Sequence, residues 1–242
     1  MRLDDARILI TGGSRGIGRH LAVHFAARCA KVTIAARNES GLKETQSLIV
    51  EGGGVCDYAI LDLSDATSVE ALAETMTRDG AGVDILINNA ADVTSKPLLE
   101  TSPSEIAHTI NSNLTGPLHL TRRLLPGMIE RGHGMIVNVS SLAGYKPNPS
   151  QTAYSISKYA VNGMSEALRN ELRGTGVEVM NVALGSIALT SNGEASGVPV
   201  AEFARRLERA IVAGTPELFL SPVSKWLMRV YHFCPPLARW TS

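Results

Sequence analysis

Seven short runs of β-branched and aliphatic residues alternate with longer amphipathic stretches along this 242-residue chain, and that alternation restricts the fold more than any other feature. The runs cover residues 7–11, 32–36, 55–61, 83–87, 135–139, 177–183 and 217–220. Strands separated by helices cannot pair through tight hairpins, so the expected class is α/β with a parallel sheet. Between the runs, Ile17, Leu21 and Phe25 fall at helical spacing, as do Val161, Leu168 and Leu172, which gives each helix a stripe to bury on the sheet. The glycines at 52–54 and at 80 and 82 mark turns that stop a helix before the next strand. Pro117 interrupts the apolar stretch between Ile106 and Met128, so a helix there is expected to bend or to lose part of its hydrogen-bond ladder. One continuous domain over residues 1–242 is expected, with 191–242 forming a substrate loop and a C-terminal aromatic tail.

The first run leads into Thr11-Gly12-Gly13-Ser14-Arg15-Gly16-Ile17-Gly18. Glycines at 12, 16 and 18, between a strand and a helix start, allow a tight turn and a close backbone approach to a pyrophosphate, which the helix N-terminal amides favour. With Ser14, Arg15 and Ile17 they make a candidate phosphate loop, and the fold expected around it is a Rossmann-type, doubly wound parallel sheet of about seven strands with helices on both faces. The spacing departs from G-x-G-x-x-G, and an ordinary glycine-rich turn is the other reading. After the second run, where an NAD enzyme places an acid for the ribose 2′-hydroxyl, the chain has Ala35-Ala36-Arg37-Asn38. Arg37, together with Arg15, offers charge-assisted bonds to a 2′-phosphate, so NADP(H) is the expected cofactor. Two solvated surface charges are the alternative.

Tyr154 and Lys158 stand four residues apart in a stretch with helical periodicity, which puts phenol and ammonium on one helix face. A cation close to a phenol favours the phenolate and moves its pKa down from about 10 toward a range useful for acid and base work. Ser141 lies thirteen residues before the tyrosine.

Composition narrows the partners. Lys plus Arg (23) balance Asp plus Glu (23), so no overall positive field draws in a nucleic acid, and a small molecule is expected instead. Cys29, Cys56 and Cys234 form neither a CxxC pair nor a ligand cluster with the six histidines, so no metal is expected. Acids near the N-terminus argue against an export signal, and charges interrupt the most apolar stretch at Lys225, Arg229 and Arg239. A cytoplasmic protein with no transmembrane segment is the expectation.

These motifs together resemble the short-chain dehydrogenase/reductase family over about residues 6 to 190: T-G-x-x-x-G-x-G at 11–18, Asp62-Leu63, Asn88-Asn89-Ala90-Ala91, Asn113, Ser141 and Tyr154-x-x-x-Lys158. The resemblance implies that Tyr154 exchanges a proton with the substrate oxygen while Ser141 donates a hydrogen bond to it. Lys158 would acidify the phenol and bond the nicotinamide ribose, and Asn113 would hold a water leading to solvent. By the same analogy Asp62 and Leu63 contact adenine, Asn89 contacts its ribose, and Gly185 and Ile187 line the carboxamide. Alternatives stay open for Asn113 against Asn111, for Ser141 against Ser140, and for Asp62 as a turn or cap residue. The family's Pro-Gly followed by threonine is here Leu184-Gly185-Ser186-Ile187-Ala188-Leu189-Thr190, which leaves the register of Thr190 as a phosphate contact open. The loop at 191–199 is expected to move over substrate. The aromatic tail, with Trp226, Leu227, Met228, Val230, Tyr231, Phe233 and Leu237, would pack on the core, cover a lipophilic substrate, join subunits of a homo-oligomer or lie on a membrane surface. The implied activity is NADP(H)-dependent interconversion of a carbonyl and an alcohol. A catalytically inactive NADP-binding regulator on the same fold is the alternative.

Overall fold

The computed structural model describes residues 3–78, 82–189 and 197–233. Thr190, most of the expected substrate loop and the tail beyond Phe233, with Cys234 and Leu237, lie outside the described residues. The elements in chain order are β1 (Arg7–Thr11), α1 (Gly16–Ala26), β2 (Lys31–Ala36), α2 (Glu39–Glu51), β3 (Val55–Ile60), α3 (Ala66–Thr77), β4 (Ile85–Asn88), α4 (Pro103–Ile110), α5 (Gly116–Arg131), β5 (Gly134–Ser141), α6 (Thr152–Glu171), β6 (Val177–Leu184), β7 (Ile187–Ala188), β8 (Val198–Pro199), α7 (Val200–Val212), β9 (Glu217–Phe219) and α8 (Pro222–Phe233).

All seven expected strands join one parallel sheet in the order β3-β2-β1-β4-β5-β6-β9. The order reverses between β1 and β4, which opens a crevice at the carboxyl ends of these strands, where doubly wound sheets bind ligands. Because side chains alternate along a strand, Ile8 and Ile10 enter one core and Leu9 enters the other. The first core takes Leu21 and Phe25 of α1, Leu42 of α2 and Phe203 of α7. The second takes Leu72 of α3, Leu120 of α5 and Leu168 of α6. Both faces are covered, as the two helical stripes foretold.

Local chemistry sets the helix limits. Asn38 caps α2 by accepting from the Gly41 amide at 3.0 Å, and Asp65 caps α3 by accepting from Thr67 at 2.9 Å. A reciprocal Ser102 and Glu105 box with Pro103 starts α4. Between α4 and α5 the chain makes a π-helical turn at Asn111–Thr115, directly before Pro117. Pro117 has no N–H to give the carbonyl of Asn113 four residues back, and the widened turn is the distortion that the proline foreshadowed. The two-residue strands β7 and β8, which pair outside the main sheet, carry too little pattern to be legible in the sequence.

Helix α8 lies beyond β9, burying Met228 while leaving Val223 and Trp226 exposed. Among the described residues no helix is long and apolar enough to cross a membrane.

Candidate active site

The loop after β1 takes the shape that its glycines allow. Gly12 has φ +74, and a Cβ there would stand 2.9 Å from the Cα of Ala90. Gly16 has φ +56, where a side chain is strained, but its surroundings are open: the nearest atom a Cβ would meet is Leu189 Cδ1, at 3.9 Å. Arg15, the N-cap residue of α1, makes no side-chain cap bond, and the first turn carries no acid. Uncapped amides, no negative charge and open space above Gly16 fit a bound pyrophosphate. Ile17 is half-buried against the first core.

Two residues that the sequence reading missed hold this loop. Arg19 donates to the Ser14 carbonyl at 2.7 Å, to Thr45 Oγ1 at 2.9 Å and to Glu44 at 2.8 Å. Fully buried Thr45 donates to the Gly13 and Gly41 carbonyls. Only the contact between the loop and α2 reveals them; Arg19 otherwise reads as a surface charge on α1. Arg19→Met should raise the dissociation constant for a dinucleotide about tenfold or more, since bonds to a charged donor are worth about 1.5–3 kcal/mol. Titration calorimetry measures this, with circular dichroism to confirm the fold.

Arg37, exposed, follows β2 with no carboxylate beside it on the strand end; its Nη1 lies 3.4 Å from His108 Nε2. A cation in that place fits a 2′-phosphate better than a bare 2′-hydroxyl. The side-chain oxygen of Asn38 is spent on capping α2 and on Ser40. Asp62 accepts from the amide and hydroxyl of Ser64 at 2.9 and 2.7 Å, the turn arrangement that its sequence left open. Burial would raise its pKa, but the Ser64 bonds and the nearby charge of Arg37 hold it below the usual carboxylate range. Leu63 is buried against α5: a Cβ on Gly116 would stand 2.1 Å from the Leu63 carbonyl. Asn89 donates through Nδ2 to the Thr11 carbonyl at 2.9 Å, which ties the end of β4 to the start of the phosphate loop. Gly185 packs beside Leu142, and Ile187 sits in β7, half-buried against the first core.

The candidate catalytic residues converge where β5 and α6 meet. Ser141, at the end of β5, accepts from the Ala143 amide at 3.1 Å and lies close enough to the Tyr154 phenol to favour its ionised form. Ser140 points the other way, buried, and donates to the Lys158 carbonyl at 3.2 Å; the alternation of β5 thus separates the two serines. A buried relay from Asn88 through Asn138 to Ser165 sets α6 against β5. Lys158 is only 3 % exposed, donates to the Val139 carbonyl at 2.8 Å, and lies 5.7 Å from the centre of the Tyr154 ring.

The shared helix face is therefore present, but the expected acidification of the phenol is corrected. Burial pushes Tyr154 up from its ordinary value, opposed only by the nearby Ser141. Burial likewise brings Lys158 down to about 8. The physical reason is that the ammonium is spent on Val139, so desolvation governs both groups.

Asn113 is buried in the π-helical turn with all its side-chain bonds to protein. It donates to the Asp92 carbonyl and to Ser157 Oγ, both at 2.9 Å, and accepts from the Asp92 amide at 2.7 Å. Ser157 in turn donates to the Tyr154 carbonyl at 2.6 Å. Asn113, rather than Asn111, is thus linked to the tyrosine's helical turn, and the group it can offer a water is its backbone carbonyl, deprived of an α-helical donor by Pro117. Ser157 gave no signal in the sequence beyond its place inside the Tyr154 to Lys158 spacing. Among the described residues no cluster of His, Cys, Asp or Glu could hold a metal ion.

Residues 6–197 match the model of the short chain dehydrogenase family. The chain is 37% identical over 188 residues to the ketoacyl reductase HetN of Nostoc sp., covering 78% of this chain but 66% of that protein. It is 34% identical to the 3-oxoacyl-[acyl-carrier-protein] reductase FabG of Vibrio cholerae, over 77% of this chain and 75% of that one. Among solved structures, a metagenomic short-chain oxidoreductase in complex with NADP superposes with a TM-score of 0.80 at 30% identity, covering 92% of this chain and 99% of that chain.

Proposed function

Because this chain belongs to the short-chain dehydrogenase/reductase family, we propose that it is an NADP(H)-dependent oxidoreductase interconverting a ketone or aldehyde and an alcohol, with Tyr154 as proton donor and acceptor. The observation that carries this reading is the Tyr154 phenol set beside the Ser141 hydroxyl, with the buried Lys158 amine 5.7 Å from the centre of its ring. When bound, the nicotinamide supplies or receives the hydride.

In the reducing direction a carbonyl oxygen takes the place between Ser141 and Tyr154. Ser141 donates a hydrogen bond to it, and Tyr154 passes its proton as negative charge develops there. Burial keeps the phenol protonated until that charge appears, which suits a proton donor. Lys158 holds positive charge beside the resulting phenolate, and a water on the Asn113 carbonyl returns the proton. Arg37 and Arg15, with the α1 amides, hold the dinucleotide's phosphates, and one domain carries both cofactor and catalytic groups.

Two named relatives reduce oxoacyl compounds, and exposed Val93 and Leu189 offer apolar surface after β4 and β7. Both support a ketone with an apolar chain as substrate. A panel from small polar ketones to 3-oxoacyl thioesters, followed by NADPH absorbance, should give the highest kcat/KM for the latter. Arg37→Ala should lower the ratio of kcat/KM with NADPH to that with NADH by about tenfold or more, the worth of a charge-assisted bond. A higher kcat/KM with NADH in the unaltered enzyme would refute the cofactor assignment.

A further inference from the structure

Three strand and helix ends deliver charge to one corner of the crevice. Arg37 comes from the end of β2, Asp62 from the end of β3 and His108 from the last turn of α4. His108 Nε2 stands 3.4 Å from Arg37 Nη1 and 3.5 Å from Ser112 Oγ. A guanidinium only donates, so in this contact Nε2 is the acceptor. A second proton would set two cations against each other across that 3.4 Å.

Of the acids nearby, Asp92 and Glu105 are committed elsewhere, while the charge of Asp62 lies near both Arg37 and His108. Asp62 Oδ1 takes both Ser64 donors. On the outer side, His108 lines a cleft with Asp92, Lys96 and Glu105. There Lys96 pairs with Glu105, and Asp92 Oδ2 accepts from Thr94 and Thr109. A dianion arriving on Arg37 changes the balance, because it neutralises the guanidinium and gives a protonated imidazole something to donate to.

We propose that His108 is a specificity-determining residue for the dinucleotide: protonated, it joins Arg37 in binding the adenosine 2′-phosphate, so the preference for NADP+ over NAD+ grows as pH falls. The inference rests on the reading of Arg37 given above. Its sign separates it from the ligand's own chemistry, since a phosphate monoester loses its second charge below a pKa of about 6 and would bind a cation more weakly in acid.

The test is calorimetric titration of NADP+ and NAD+ into the whole protein at about pH 6.5 and about pH 8, either side of the range where imidazole changes charge. The unaltered protein should show a ratio of dissociation constants, NAD+ over NADP+, several times larger at the lower pH. Runs in buffers of different ionisation enthalpy should show more proton uptake with NADP+ than with His108→Gln, whose amide can still accept from Arg37 but does not titrate. NAD+ affinity should be the same in both proteins. A ratio that stays level or shrinks in acid, or that His108→Gln reproduces at both pH values, overturns the role of His108 alone. Equal affinity for the two dinucleotides at both pH values overturns the Arg37 reading and this inference with it.

Discussion

Tyr154→Phe should lose at least about a hundredfold in kcat with every carbonyl substrate, the lower end of what a positioned general acid contributes, while binding the dinucleotide as the unaltered protein does. The substitution removes one hydroxyl from a half-buried side chain beside Lys158 and leaves the ring in place, so the fold has no cavity to absorb and only the approach to Ser141 is lost. Stopped-flow turnover with NADPH and equilibrium binding of NADP+ read the two effects separately. Near-normal turnover would remove Tyr154 from the chemistry. A wild-type protein that binds NADP+ but turns over nothing in the carbonyl panel would instead point to the nucleotide-binding regulator.

Lys158→Met should abolish turnover and yet make the protein more stable at neutral pH. Burial has brought this amine from 10.5 down to about 8, so the folded state holds its proton less tightly than the unfolded chain. Between those two values the unfolded chain binds more protons, and stability therefore rises with pH across that window. Below about pH 8 both states carry the charge, and a penalty on the order of 3 kcal/mol is fully present. Methionine fills nearly the same volume without the charge. Allowing for the lost bond to Val139, the variant should gain about 1–3 kcal/mol at neutral pH, an advantage that shrinks toward about pH 10. Tyr154 does not reverse the sign in this window, because its raised pKa affects stability only above about 10. Urea unfolding at neutral and alkaline pH measures the difference. A variant less stable than the unaltered protein at neutral pH would mean that the buried amine is well compensated in the folded state.

How much was legible follows the range of each interaction. The strands at 7–11 and 177–184 were readable because a parallel strand buried on both faces needs an apolar run, and the run needs no knowledge of its neighbours. The helix face shared by Tyr154 and Lys158 was readable for the same reason, since a spacing of four is a property of the helix itself. The direction of their proton affinities was not readable, because it depends on how deeply α6 is buried and on a strand carbonyl nineteen residues away. Arg19 and Thr45 escaped notice because each acts on backbone groups brought near by packing, and Ser157 because its partner Asn113 comes from a distant segment.

By itself the order of residues determined the α/β alternation, the glycine-rich loop after β1, the absence of an acid after β2 and the spacing of Tyr154 and Lys158, all of them set by local backbone geometry and side-chain chemistry. Only the tertiary structure decided which serine faces the phenol, where the lysine's charge is spent and that His108 meets Arg37. Those outcomes are settled by desolvation and by contacts between distant segments, and both come into being only when the sheet and its two helical layers close together.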